Sequence, residues 1–162
     1  MSEINTKITG LHPKVAEAAR KTIEEAKARK MVVGVHSGLR TAEEQESLYA
    51  LGRTRVNPDG KSTSNPMGNV VTNAKAWESW HSYGLSVDLV FKNEMGGWTW
   101  NRPESDWKAL GDVGKMFGFE WGGDWQTFKD RPHFQMRGRL LGLADAKTIL
   151  FEKGVDVLWD MV

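Results

Sequence analysis

The chain has 162 residues, of which 40% are hydrophobic, and its formal net charge is +1; this length suits one domain with a real core, so we expect residues 1–162 to form a single domain. The small net charge, without a basic stripe, argues against nucleic acid as the main partner. The absence of cysteine excludes disulfides, thiolate zinc ligands and a cysteine nucleophile.

The first part of the chain predicts two helices and a strand. Residues 1–11 are expected to be an extended lead-in. A proline at the start of range 13–30 suits the first turn of a helix, and apolar residues spaced i, i+4 predict that the helix covers this range. The short apolar run 31–35 predicts a strand. The capping-box pattern of Thr41 and Glu44 then predicts a second helix.

The middle of the chain predicts a long loop. Residues 53–75 are rich in Asn, Gly, Ser, Thr and Pro and show no periodicity. Such long loops are more often functional than simple connectors, and we assign this one to substrate access, with a solvated insertion as the alternative. The remaining patterns predict a hairpin returning through 98–100, a helix over 103–117 with Met116 on its inner face, and a C-terminal helical segment over 138–162.

The stretch from Ser79 to Asp88 carries the first candidate ligands. After a Tyr-Gly turn, period-two alternation predicts a half-buried strand. Its core-facing positions are Leu85, Val87, Leu89 and Phe91. Asp88 then points from the opposite face, where a carboxylate is costly to bury alone and a metal ion would offset that cost. His81 lies just before the turn, so the loop can bring it back towards Asp88.

A second stretch, residues 130–135, repeats this arrangement. Pro132 lacks an N–H group and suits the start of a strand. In the alternation that follows, Phe134 points inward and His133 lies on the cleft side. Asp130 is on the preceding loop, close to His133 but not in its row, which suits a group that handles water instead of binding metal. The two stretches together supply the two histidines and two carboxylates that a mononuclear zinc hydrolase needs.

Two further histidines and the pair Arg40 and Gln45 are also considered as site residues. His12 and His36 have no such neighbours in the sequence, and we interpret both as structural. Arg40 lies near Gln45 at a strand-to-helix corner, where a guanidinium suits a carboxylate or a developing oxyanion. The local sequence alone, however, favours the interpretation of Arg40 as an ordinary surface arginine.

Eight tryptophans are an excess for this chain. Packing in the core and at its rim is the main explanation. The alternative is that some of them, such as Trp80 and Trp125, form the wall of a substrate groove. Ser79, which precedes Trp80, is a candidate hydrogen-bond partner for a ligand histidine.

The site stretches form one ordered pattern. It reads Ser79-x-His81-x-x-Gly84-x-Ser86-x-Asp88, followed by Asp130-x-x-His133-Phe134, and is preceded by Ser37-Gly38-Leu39-Arg40-Thr41 with Gln45. This pattern resembles that of the VanY/VanX-type zinc peptidases, which cleave peptidoglycan peptides. Asp130 stands where the carboxypeptidase branch usually has Glu, and this resembles the phage endolysins that act as L-alanyl-D-glutamate endopeptidases.

The resemblance implies an α+β fold of the hedgehog/DD-peptidase-like zinc peptidase type, with a small antiparallel sheet, helices packed on one face and the zinc site on the other. It implies zinc binding by His81, Asp88 and His133, with water in the fourth position. Asp130 would take the proton of that water and later protonate the departing amine, and Arg40 would stabilise the oxyanion. The expected substrate-binding residues are Gln45, Ser79, Trp80 and Trp125.

The expected function is that of a phage endolysin, a zinc-dependent endopeptidase that hydrolyses the L-alanyl-D-glutamate bond of the stem peptide and lyses the host. The alternatives are a D-Ala-D-Ala carboxypeptidase, a non-catalytic zinc module that binds the wall, and a metal-free phage structural protein. No stretch approaches the ~18 apolar residues of a transmembrane helix, and residues 1–7 lack the apolar run of a signal peptide. We therefore expect a monomer, made in the host cytoplasm, that reaches the wall after the membrane is breached.

Overall fold

The computed structural model describes residues 7–58, 60 and 66–162. Within these residues the helices are α1 Pro13–Ala28, α2 Ala42–Ala50, α3 Glu104–Met116, α4 Leu143–Lys153 and α5 Val155–Trp159. The strands are β1 Val33–Ser37, β2 Ser86–Lys92, β3 Trp98–Thr99, β4 Glu120–Trp121 and β5 His133–Gln135. Two short 3₁₀ helices span Trp80–Tyr83 and Gly122–Asp124.

The strands form one antiparallel sheet in the order β1-β2-β5-β4, and β3 pairs with β2 as the return strand of a hairpin. The predicted α+β class and the predicted hairpin are both confirmed. A β-bulge between Val35 and Ser37 shifts the register of β1, so that Ser37 lies opposite Asp88. Bulges of this kind redirect side chains at the end of a strand, and here the redirected end borders the site.

The central strand β2 has the predicted apolar face. Its fully buried side chains on that face, with the residue before the strand, are Leu85, Val87, Leu89 and Phe91. Asp88 lies on the opposite face and is partly exposed. Val90 shares the Asp88 face but is also fully buried. Its cross-strand partner is Gly34, and the ring of Trp98 lies over Gly34, 3.1 Å from the place of a Cβ atom.

Helices α1 and α3 pack against each other and against the apolar face of the sheet. Helix α3 approaches closely because two glycines face the strands. A Cβ atom at Gly111 would lie 2.3 Å from the Trp121 ring, and one at Gly114 would lie 2.4 Å from the Phe134 ring. The small residues of α3 therefore set how near this helix lies to β4 and β5.

Some details of the predicted elements need correction. Helix α1 ends at Ala28, because Lys30 has φ +65°, a backbone conformation that an α-helix cannot contain. Strand β1 covers Val33–Ser37, later than predicted. Met116 is 59% exposed instead of facing inward. The buried stripe of α3 leads to Phe117, which is partly buried, and Met116 lies about 100° away round the helix axis.

The predicted capping box at the start of α2 is confirmed. The backbone N–H of Glu44 donates to Thr41 Oγ1 at 3.1 Å, and the N–H of Thr41 donates to Glu44 Oε2 at 2.8 Å. The helix is also tied to the loop that follows it, because Gln45 Nε2 donates to the carbonyl of Ala74 at 2.7 Å. This contact fixes the end of the loop beside α2.

Two loop predictions fall partly outside the described residues. The extended lead-in is wrong for residues 7–11: Lys7 is helical, residues 8–10 form turns, and the side chains of Ile8 and Leu11 are buried in the core. Residues 1–6 lie outside the described part of the chain. Residues 59 and 61–65 of the predicted 53–75 loop also lie outside. Its described residues contain no helix or extended strand, as predicted. In the described parts of the chain, every helix is too short or too polar to cross a membrane.

We expect Gly114→Ala to destabilise the protein. The added methyl group would meet the Phe134 ring, and overpacking typically costs about 1–3 kcal/mol, whereas alanine gains only ~1 kcal/mol in helix propensity. Urea unfolding of both proteins measures the difference. In the comparison variant Gly142→Ala no atom lies within 4 Å of the added Cβ, so the small cost expected there comes from replacing the N-cap glycine of α4 and not from packing. Equal stability of Gly114→Ala and the wild type would contradict this account of the packing.

Candidate metal centre

Three potential metal ligands meet on the open face of the sheet. The register of β2 and β5 pairs Asp88 with His133, and the 3₁₀ helix before β2 brings His81 to the same point. Asp88 Oδ1 lies 3.2 Å from His81 Nε2 and 3.5 Å from His133 Nδ1. One ligand atom from each residue lies within 4.8 Å of the others. The structure thus brings together the three residues predicted as ligands.

The local backbone fixes the orientation of His81. Ser79 Oγ accepts a hydrogen bond from the N–H of His81 at 3.3 Å and starts the 3₁₀ helix, which ends at Gly84 with φ +71°. That conformation favours glycine. His81 Nδ1 lies 2.8 Å from the carbonyl oxygen of Gly38. Because a carbonyl only accepts, Nδ1 carries the hydrogen, and Nε2 presents its lone pair towards Asp88.

A chain of hydrogen bonds fixes the orientation of His133, in which Nε2 carries the hydrogen instead of Nδ1. His133 Nε2 donates to Gln135 Oε1 at 2.8 Å, and Gln135 Nε2 donates to Glu120 Oε2 at 2.9 Å. Arg137 Nε donates to the other oxygen of Glu120 at 3.0 Å. The carboxylate of Glu120 accepts only, so it sets the amide orientation of Gln135. His133 Nδ1 is therefore the nitrogen with a lone pair, and it faces Asp88.

The donor set fits a zinc ion. Two imidazole nitrogens and one carboxylate are ligands that zinc takes in catalytic sites, with a fourth position for water. Burial raises the pKa of Asp88, but the neighbouring imidazoles of His81 and His133 outweigh burial and hold that pKa well below its ordinary value. Asp88 is therefore ionised at neutral pH, as a metal ligand must be.

Arg40 supports Asp88 from the β1 side. Its NH2 group lies 2.9 Å from Asp88 Oδ2, its Nε donates to Ser37 Oγ at 3.0 Å, and its NH1 donates to Gln45 Oε1 at 3.3 Å. Arg40 also lines the cleft, and its predicted part in stabilising an oxyanion stays a prediction. Gln45 is corrected: it is fully buried, and its amide joins Arg40 to Ala74, so it positions Arg40 instead of contacting a substrate.

Asp130 borders the same cavity as the ligands. Its N–H donates to the carbonyl of Gly122 at 3.0 Å, and a Cβ atom at Gly122 would lie 2.3 Å from the carbonyl oxygen of Asp130, so the close approach requires glycine. Asp130 as a residue is exposed on the cleft side. Nevertheless the protein around its carboxylate displaces water and raises its pKa, and the charge of Asp88 acts in the same direction.

His81 and Asp88 line a cleft of about 390 Å³. Val71 and Thr72 of the 53–75 loop form part of its wall, as does Asp130. His36 and Trp100 also line it, and neither was predicted there. The sequence contains a weak signal for them, namely the alternation of Trp98 and Trp100 in the strand that returns beside β2.

The predicted structural role of His12 agrees with its contacts. Its Nδ1 accepts from the N–H of Lys14 at 3.0 Å, and its Nε2 donates to the carbonyl of Trp159 at 3.1 Å. Trp159 Nε1 in turn donates to the carbonyl of Tyr83 at 2.9 Å, and the N–H of His12 donates to Gly84 at 2.9 Å. The two ends of the described chain thereby brace the loop that carries the first candidate ligand.

The remaining predicted substrate-binding residues lie in different places. Trp80 is only 8% exposed and packs in the core, with its ring centroid 6.1 Å from that of Tyr83. Its predicted position on a groove wall is therefore wrong. Ser79 uses its hydroxyl to cap the 3₁₀ helix at His81. Trp125 is partly exposed, with its ring centroid 5.3 Å from that of His133, and its contact with substrate stays a prediction.

Comparison with known sequences gives one family. Residues 72–136 match the profile of a peptidase family described as D-alanyl-D-alanine carboxypeptidase. The chain is 36% identical over 133 residues to the peptidoglycan L-alanyl-D-glutamate endopeptidase CwlK of Bacillus subtilis, covering 78% of this chain and 73% of that protein. It is 29% identical over 138 residues to the L-alanyl-D-glutamate peptidase of a Listeria phage, covering 85% of this chain and 40% of that longer protein.

Solved structures share the fold. The L-Ala D-Glu endopeptidase ChiX of Serratia marcescens has a TM-score of 0.58 at 22% identity, covering 83% of this chain and 86% of ChiX. A variant of the vancomycin-resistance D,D-pentapeptidase VanY, from a VanB-type resistance cassette and in complex with Zn(II), has a TM-score of 0.56 at 18% identity, covering 91% of this chain and 83% of VanY. The Bacillus relative, together with the matched family profile and the grouping of His81, Asp88 and His133, shows that the chain belongs to the VanY/VanX-type family of zinc peptidases.

Proposed function

We propose that this chain is a zinc-dependent endopeptidase that hydrolyses the bond between L-alanine and D-glutamate in the stem peptide of peptidoglycan. The observation that carries the proposal is the meeting of His81, Asp88 and His133 at a cleft that a further carboxylate, Asp130, also lines. The choice of bond is supported by the relative CwlK, an L-alanyl-D-glutamate endopeptidase, which matches this chain over most of both lengths.

The chain's residues are arranged to hold the metal without rearrangement. When bound, zinc supplies Lewis acidity and lowers the pKa of a bound water to about 7. His81 Nε2, His133 Nδ1 and the carboxylate of Asp88 are the atoms that would hold it. The opposite nitrogen of each imidazole is already engaged, by Gly38 and by Gln135, so both lone pairs point inward.

Asp130 is the group that moves the proton. Its carboxylate accepts a proton from the attacking water, whose oxygen bonds to the carbonyl carbon of L-alanine. That proton passes to the nitrogen of D-glutamate as the carbon–nitrogen bond breaks, which leaves a carboxylic acid on L-alanine and a free amine on D-glutamate. At neutral pH the remaining proton of the water leaves the acid and the amine takes up a proton, so the products are a carboxylate and an ammonium group. The hydrogen bond from the Asp130 N–H to Gly122 holds this residue at the cleft edge through the cycle.

The shape of the groove favours an internal bond over a terminal one. A second cavity of about 730 Å³ shares His36, Ser37, Arg40 and Leu48 with the cleft, so the surface open to substrate continues beyond Arg40. Cleavage inside a chain needs room on both sides of the scissile bond. A carboxypeptidase needs room on one side and a group that receives the terminal carboxylate on the other.

The main alternative is a D-Ala-D-Ala carboxypeptidase, which uses the same chemistry on a terminal bond. The description of the matched family and the activity of VanY favour it, and Arg40 is the residue that would receive a terminal carboxylate. A non-catalytic zinc module is the second alternative. The carboxylate of Asp130 on the cleft weighs against it, because a structural zinc site needs no base.

The biological role that we propose is that of a phage endolysin, which acts on the wall after the membrane is breached and lyses the host. The similarity to a peptidase of a Listeria phage supports it, although this chain spans two fifths of that protein. We further propose that it works as a monomer.

The proposed lytic role is tested by the turbidity of a suspension of permeabilised host cells after the protein is added. Turbidity should fall as the cells lyse, and unchanged turbidity would contradict the lytic role.

The choice of bond is tested by digestion of purified peptidoglycan. We expect new amino-terminal glutamate and release of intact stem peptides from the glycan, both identified by mass spectrometry. Free D-alanine without new amino-terminal glutamate would instead identify the carboxypeptidase. Digestion with neither product, by protein that contains zinc, would favour the non-catalytic module.

Metal binding is expected to depend on both the ligands and their outer partners. The wild type should hold one zinc per chain, and His81→Ala should lose it, because two donors remain. Gln135→Ala keeps all three ligands but removes the acceptor of His133 Nε2, and we expect zinc affinity to fall about 10–100-fold. Elemental analysis and competition with a chelator measure these effects, with Gln126→Ala, an exposed glutamine, as control. Full zinc content in His81→Ala would disprove the ligand assignment.

Asp130→Asn should separate catalysis from metal binding. The amide has nearly the same shape but cannot accept the proton, so the hydrolysis rate should fall on the order of 10² to 10⁴, while zinc content and thermal stability stay at the wild-type level. Asp124→Asn serves as control, because this carboxylate contacts Lys115 at 2.8 Å on the surface. A near-normal rate in Asp130→Asn would mean that another group takes the proton.

A further inference from the structure

Three aromatic rings stand in a row beside the candidate metal centre. His36 lies between Trp98 and Trp100, with ring centroids 5.2 and 5.1 Å away and interplanar angles of 84° and 79°. All three lie on the open face of the sheet, away from the core covered by α1 and α3. We call these three residues the aromatic wall.

Core packing does not explain the aromatic wall. Trp98 has two packing partners, because its ring lies over Gly34 and Lys92 Nζ lies 3.8 Å from the ring centroid. Trp100 is different, since it is 51% exposed although its indole is a large apolar group. An exposed indole held in place by neighbouring rings is typical of a contact surface for a ligand.

The hairpin fixes Trp100 in position. Pairing of Lys92 with Trp98 and of Phe91 with Thr99 sets the path of β3, and the carbonyl of Trp100 accepts from the N–H of Arg102 at 3.0 Å. Little ordering is therefore needed when a ligand meets the indole, which lowers the entropic cost of binding.

Two residues of the aromatic wall line the same cavity as Asp88 and His81. His36 and Trp100 line the 390 Å³ cleft together with Asp88 and Asp130. His36 also precedes Ser37, which lies opposite Asp88 in the sheet. A substrate whose scissile bond lies between Asp88 and Asp130 therefore extends within reach of Trp100.

The chemistry of the substrate indicates which part of it meets this indole. L-alanine contributes a methyl group, and the residues that follow D-glutamate carry carboxylates and amines. On the other side, the amine of L-alanine is joined through a lactyl group to muramic acid, a few bonds from the scissile carbonyl. The pyranose ring is the part of the substrate with a flat C–H face, and such a face stacks on an indole.

We propose that Trp100, supported by His36, is the subsite for the sugar that carries the stem peptide. This inference rests on the proposed function, and it adds that the enzyme distinguishes glycan-linked stems from free ones. Stems already released from the glycan would bind more weakly, because they leave the indole uncovered.

The experiment compares two substrates that differ only in the sugar. One is a disaccharide-linked stem peptide from a muramidase digest, and the other is the same peptide after an amidase has removed the sugar. We expect the wild type to prefer the glycan-linked substrate. In Trp100→Ala, kcat/KM for that substrate should fall about tenfold, the loss typical of one aromatic contact, and kcat/KM for the free peptide should change by less than about twofold.

Two controls accompany this comparison. Met95→Ala removes an apolar side chain that is 93% exposed on the same hairpin, and it should behave as the wild type on both substrates. Trp100→Phe retains an aromatic face and should keep most of the preference. Equal losses on both substrates in Trp100→Ala, or no loss on either, would overturn the sugar subsite.

A binding measurement separates this inference from the proposed function. Calorimetry with the peptide-free disaccharide, N-acetylglucosaminyl-N-acetylmuramic acid, should give binding to the wild type that is lost in Trp100→Ala. If the disaccharide binds through Trp100 but neither substrate is cut, the proposed function fails while the subsite stands. If both substrates are cut with the same kcat/KM and the disaccharide does not bind, the function stands and the subsite fails.

Discussion

The site depends on one carboxylate held at the centre of a sheet. Asp88 stands on β2, which pairs with three other strands, and its side chain is only 16% exposed. A charge so placed is costly unless it is paired. Arg40 contacts one of its oxygens, and His81 and His133 contact the other. Each partner comes from a different element: Arg40 from the corner between β1 and α2, His81 from the 3₁₀ helix and His133 from β5. The contacts to Asp88 therefore join these three elements at one point.

The same convergence gives the ligands their orientation. Each imidazole has one nitrogen engaged by the protein and the other facing Asp88, through Gly38 for His81 and through Gln135 for His133. Rings held in this way lose little freedom when a metal binds, and their tautomers are already those that a metal requires. The contact to His81 comes from the backbone carbonyl of Gly38 and needs no particular side chain. The contact to His133 comes from the side chain of Gln135, which is itself oriented by Glu120.

Sequence patterns predict those features whose cause is local. The alternation along β2 and the capping box of α2 need only neighbouring residues, and both are present. The predicted ligands also meet, because Asp88 and His133 lie on paired strands whose apolar faces are clear, and His81 lies in the turn directly before β2. By contrast, Gln45 is buried through its bond to Ala74, and His36 stands between Trp98 and Trp100. These pairings join residues far apart in the chain, so spacing within one segment gives no signal of them.

The chemistry and the specificity of this site are carried by separate elements. VanY acts as a D,D-pentapeptidase and CwlK as an L-alanyl-D-glutamate endopeptidase, so membership of the family does not by itself select the bond. Here the ligands stand on β2, β5 and the turn before β2. The surroundings of the cleft come from the bulged end of β1, the β3 hairpin and the 53–75 loop. Substitutions of Val71, Thr72 or Trp100 can reshape the groove while Asp88 keeps its partners, because these residues line the cleft but make none of the contacts to Asp88.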